Sequence, residues 1–136
     1  MLWLHALASW WLVGVGVTVT LVHYPTFRDV STDTFVTFHK RHATGMTMVV
    51  ALPWVTQGLS AAWLLLGGYQ PIVKVIAALS VVAVLLTVAV IVPAHSRLAH
   101  GFSDEAFSRL RAADRMRLIA FVAHALAATL AAYSYT

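Results

Sequence analysis

Four long apolar runs constrain this chain more than any other feature: Leu2–Val22, Ala43–Leu66, Ile72–Val92 and Leu118–Tyr133. Crossing a hydrocarbon core takes about 20 helical residues. The fourth run is the shortest, and the polar helix expected before it would lengthen it. In lipid a spanning backbone must satisfy its own hydrogen bonds, so the runs read as helices. Of the 136 residues 60% are apolar and only 10% charged, a composition of the membrane class. The expectation is one all-α domain over residues 1–136, an integral membrane four-helix bundle. The stretch "MLWLHALASWWLVGVGVTVTLV" lacks a basic start and a small-residue cleavage site, so it is expected to be a retained helix. With no cysteine, disulfides, thiolate-held zinc, iron–sulfur clusters and thiol catalysis are excluded.

The connections between the runs set the topology. "GGYQP" between the second and third is a tight turn, which makes those helices antiparallel neighbours. The other two connections, Tyr24–His42 and Ala94–Arg117, are long and polar and fall on one side. They hold eight of the nine basic residues, all but Lys74. By the positive-inside rule that side is cytoplasmic, which places both termini outside, in what reads as a bacterial inner membrane. Basic residues so placed are topology signals, so no nucleic-acid partner is expected. Ser31 and Ser103 each precede acidic residues in a first helical turn, a capping pattern. The two connections are therefore expected to be helical extensions of spans two and four on the cytoplasmic side. Trp3, Tyr24, Trp63, Tyr69, Tyr133 and Tyr135 fall near span ends and read as interface anchors. Gly14, Gly16, Gly58 and Ala61 read as small residues at helix contacts.

Depth then separates the histidines. His23 ends the first span, His39 and His42 precede the second, His95 follows the third and His100 lies further out. His124 sits about two turns inside the fourth span from the same side. Only His5 belongs to the opposite face. His23, His42, His95 and His124 come one from each helix, and bundles build cofactor sites in this way. Neutral imidazole suits copper, iron or zinc, and two histidines can clamp a haem. These four are the expected metal or haem ligands. His39 and His100 read first as interfacial residues; with Gln57 and Arg117 they form the set of second shell or weaker candidates. No carboxylate lies deep in a span, so a carboxylate-rich di-iron centre or proton relay lacks its ligands and is disfavoured. Met46, Trp10, Trp11 and Trp54 read first as packing, and the tryptophans second as walls of an apolar pocket.

The segments "LVHYPTF", "FVTFHKRH", Pro53 with Gln57, and "VPAHSRLAHGF" follow one another through most of the chain. In that order they resemble a broad, mostly uncharacterised family of small bacterial four-helix integral membrane proteins, loosely grouped with fungal anthrone oxygenases. The resemblance implies functional histidines at His23, His42 and His95 and an arginine at Arg117. It also implies oxidation of a reduced aromatic polyketide by molecular oxygen. The chain departs from the pattern at Gln57, Phe107 and Arg115, where glutamate, histidine and tryptophan are common.

Two functions follow as expectations. The first is a histidine-lined metal or haem site at the cytoplasmic end of the bundle, serving redox or oxygenase chemistry on an apolar or aromatic small molecule. The second is an accessory membrane subunit or ligand-binding module without chemistry. The lipid bilayer is a partner in either case, and a partner membrane protein or a second copy of the chain is a further one.

Overall fold

The structure, a computed structural model, describes residues 1–135; the last residue of the domain expected over 1–136 lies outside them. It is all-helical, with no strand among the described residues. Four helices are long and apolar enough to cross a membrane: α1 (Leu2–Thr26), α2 (Thr32–Leu66), α3 (Pro71–Leu98) and α4 (Asp104–Ser134). Each exceeds its apolar run because the flanking polar residues continue the same helix. Of the four, α3 is the most apolar. Their outer faces carry bare aliphatic side chains such as Leu21, Leu59, Leu66 and Leu130. Water would not favour so wide an apolar surface, whereas hydrocarbon would.

Local chemistry ends the helices where the sequence places its breakers. Ser103 caps α4 by accepting from the Ala106 amide at 3.4 Å. Ser31 precedes α2 differently from expectation: its hydroxyl lies 2.8 Å from the Thr34 hydroxyl, and no side-chain bond caps the helix. Pro71 starts α3 directly after the four-residue turn. Gly101, at φ +143°, supplies a backbone conformation that other residues rarely adopt, and the chain turns there into α4.

Two turns are wider than α-helical, Val19–His23 in α1 and Thr87–Ile91 in α3. A proline follows each, Pro25 and Pro93. A proline lacks the amide that bonds four residues back, and its ring crowds that carbonyl. The turn before it opens instead, so that the Tyr24 amide bonds to Val19 O and the Val92 amide to Thr87 O. The segments that follow these wide turns carry Tyr24 and His95.

Cross-helix contacts define how the helices lie. Trp3 packs edge-on against Tyr133 with ring centroids 4.7 Å apart, and His5 meets both Ser60 and His124. At its other end α1 bonds Thr20 to Asp114 and sets Tyr24 beside His42 and His95. The start of α1 thus lies against the ends of α2 and α4, and its end against their starts. Alanines allow the close approach: Ala61, Ala77, Ala125 and Ala128 are fully buried. Gly16 acts in the same way, since a Cβ there would meet Leu118 at 3.0 Å. Gly14 and Gly58, expected at such contacts, face open space instead.

Candidate functional site

One end of the molecule gathers four histidines and a tyrosine. The His23 and His42 rings lie 5.4 Å apart, centroid to centroid, and His42 stacks on His95 at 5.8 Å. His39 places Nε2 at 3.2 Å from His95 Nδ1, and the Tyr24 hydroxyl lies 3.2 Å from His95 Nε2. Both ring nitrogens of His95 are therefore engaged. One is a donor and the other an acceptor in neutral imidazole, so Tyr24 and His39 together set its tautomer. No hydrogen bond engages the rings of His23 or His42 among the described residues.

An aromatic wall packs behind these rings. Phe27, Phe35 and Phe107 are fully buried; the Phe27 ring stands edge-on to His42 at 5.0 Å and stacks with Phe107 at 5.9 Å. Arg28 lies over the outer face of Phe107, 5.2 Å from its centroid. The wall holds the imidazoles by contact on one side and screens them from water.

Beside the cluster, Asp114 is fully buried and accepts from the Thr20 hydroxyl at 2.6 Å and from Arg117. Arg117 in turn lies over Phe121. The ion pair lies within α4, and the Thr20 bond to Asp114 joins that helix to α1.

An open cleft of about 470 Å³ lies along α1 and α2 and ends at the cluster. Trp11, Val15, Val19, Met46 and Val49 line it, and His23 is its imidazole. That volume falls within the range of small-molecule sites.

The expected ligand set divides. His23, His42 and His95 do come together. His124 does not join them: it lies ten residues, about 15 Å of helical rise, beyond Asp114. Its Nε2 is instead 3.4 Å from His5 Nε2, at the other end of α1. The sequence separates depth along one helix but not which neighbour an inward side chain meets. Gln57 also belongs to that second group, donating to Ser9 at 3.0 Å. His39, expected at the interface, is only 4% exposed, less than His42. Lys40 and Arg41 are exposed, as their place between the two histidines implies, and so is His100.

Two residues of this end were not singled out from the sequence. Tyr24 reads as an interface anchor, yet it is 1% exposed and holds His95. The adjacent Pro25, which marks a fixed helix end, is the signal that bears on it. Asp114 reads as one charge among many; its spacing of three from Arg117 is the available hint.

Among the described residues no group of three or more His, Cys, Asp or Glu side chains has the arrangement of a metal site. The fold and site define an all-helical protein with four helices able to cross a membrane and a packed histidine cluster at one end. Comparison with family models, with curated proteins and with solved structures finds no match.

Proposed function

We propose that the chain crosses a bacterial inner membrane as an antiparallel four-helix bundle of the small membrane family that it resembles, with both termini outside. The polar starts of α2 and α4 extend it into the cytoplasm. At that end His23 and His42, with His95 beside them, bind a transition metal ion, copper, iron or zinc. The site serves redox or oxygenase chemistry on an apolar or aromatic molecule that enters from the bilayer along the cleft.

One observation carries the reading: two imidazoles with no hydrogen-bond partner among the described residues stand side by side at the end of a largely apolar cleft. Unclaimed ring nitrogens beside an aromatic wall are what an imidazole-binding metal requires. His95 can join once Tyr24 or His39 yields its nitrogen. Copper or iron there would supply oxygen activation or one-electron transfer. Tyr24 and His39 would hold the His95 tautomer, the phenylalanines would exclude water, and Trp11 and Val15 would orient a ring. The direct contact between rings favours a single ion over haem, whose macrocycle needs a flat slot between its ligands.

The saturation of His95 by protein partners favours a second reading, an accessory subunit whose histidines serve structure alone. Metal analysis and an absorption spectrum of the purified protein separate the two. The expected result is a stoichiometric metal ion that His23→Ala and His42→Ala each weaken tenfold or more, with His100→Ala within about twofold. A Soret band would replace the ion with haem. Metal-free protein, with variants indistinguishable from the parent, would establish the accessory reading.

A further inference from the structure

The second polar group lies among the apolar layers at the opposite end of the helices, and all four helices build it. His5 is fully buried and His124 is 7% exposed, with Ser9, Gln57 and Ser60 around them, each below 5% exposure. Ionisable side chains inside a membrane helix are costly and as a rule serve a function.

The hydrogen bonds fix the protons. The Ser60 hydroxyl donates to Gln57 O at 3.1 Å, so its oxygen accepts from His5 Nδ1 at 2.9 Å. His5 then carries its proton on Nδ1 and turns the Nε2 lone pair towards His124. His124 Nε2 lies 3.4 Å from that nitrogen and 3.2 Å from Ile76 O. Gln57 turns its amide nitrogen to Ser9 and leaves Oε1 buried without a partner among the described residues. A buried carbonyl oxygen with nothing to accept is a cost that a ligand would remove.

Two nitrogens about 2.0 Å from one ion stand about 3.3–3.5 Å apart at angles between tetrahedral and trigonal. The His5 and His124 nitrogens, 3.4 Å apart, already have that separation. The Ser60 bond is the kind of outer contact that orients a metal-ligating imidazole. His124 has only to move its proton to Nδ1, with no net proton released.

The charge of the donors selects the ion. Every donor here is neutral, and no carboxylate takes part. The cost of burying an ion scales with the square of its charge, so a divalent ion would suffer about four times the penalty of a univalent one. Cuprous copper is univalent, binds imidazole and accepts low coordination.

We propose that His5 and His124 form a cuprous-ion site within the membrane, with Gln57 Oε1 as its third donor. The site is separate from the His23–His42 cluster and does not depend on the reading given to that cluster.

The test is anaerobic titration with copper(I) against a chromogenic chelator, in the parent and in a His23→Ala/His42→Ala background. That background is expected to retain about one equivalent per chain. His5→Ala or His124→Ala introduced into it should lower the affinity at least tenfold, as should the gentler His124→Gln. Gln57→Leu should weaken it less. If the alanine variants do not fold, X-ray absorption of the copper-loaded background decides. Two imidazoles and a light atom support the site, and a sulfur neighbour, which only a methionine supplies, overturns it. A background that binds no copper, or histidine variants that bind it as the background does, also overturns it.

Discussion

Two side chains at the histidine end gain their roles from what they touch. Tyr24 is an interfacial aromatic by position, but its hydroxyl is the partner of a half-buried His95 nitrogen. Tyr24→Phe leaves that nitrogen unpaired, which costs about 1–3 kcal/mol when buried and nearer 0.6 where a membrane protein finds other partners. Unfolding in detergent should show a loss of about 1 kcal/mol, since His39 still holds the ring. Asp114 is the more sensitive of the two. Its side chain is 1% exposed and that of Arg117 19%. Removing one member of a buried pair costs about 3–5 kcal/mol because the other charge stays behind, and the partial exposure of Arg117 puts Asp114→Ala at the low end. Asp114→Ala/Arg117→Ala should be less destabilised than the sum of the single variants. Strict additivity in the same unfolding assay would mean that the two residues act independently.

At the scale of the helix, glycine spacing proves a poor guide to contact. Gly14 and Gly16 lie two residues apart in α1 and point to opposite surroundings, one into open space and the other against Leu118. Gly16→Leu should therefore overpack the α1–α4 contact and cost about 1–3 kcal/mol. Gly14→Ala should be neutral or stabilising by up to about 1 kcal/mol, the difference in helix propensity. Gly14→Leu should fill the cleft and reduce uptake of an apolar fluorescent probe while leaving the unfolding midpoint close to that of Gly14→Ala. Equal destabilisation by Gly16→Leu and Gly14→Leu would remove the distinction between the two faces. The wide turns before Pro25 and Pro93 belong to this scale too, because they precede the segments that present Tyr24 and His95.

Across the whole molecule, polarity divides the two ends. Basic residues crowd the polar connections, and the exposed Lys40 and Arg41 flank the histidine cluster. The proposed orientation puts that end in the cytoplasm. A cysteine replacing Arg41 should be labelled by an impermeant thiol reagent only in inverted vesicles, and one replacing Tyr135 only in intact cells. The reverse pattern would move the cluster to the outer face and remove the cytoplasmic assignment.

The apolar runs, the turn at "GGYQP" and the helix breaks around Pro71 and Gly101 are local, and composition and backbone chemistry determine them without reference to the rest of the chain. The same holds for the depth of each histidine, which follows from counting residues along a helix. Depth placed His23, His42 and His95 at one level, since all three flank the apolar runs on one side, and their rings meet there. It failed for His124, which sits about 15 Å along α4 beyond Asp114, where an inward position faces whichever helix its azimuth selects. That azimuth depends on how α4 packs against α1, and there His5 is the neighbour. His39 and Asp114 escaped for the same reason: each lies in a polar stretch whose average is exposed, and only the packing of α1 and α3 against it buries one residue in particular. Length, hydropathy and charge are sums along the chain and are legible from it, whereas the pairing of polar atoms across helices depends on rotation and register that arise only when the helices meet.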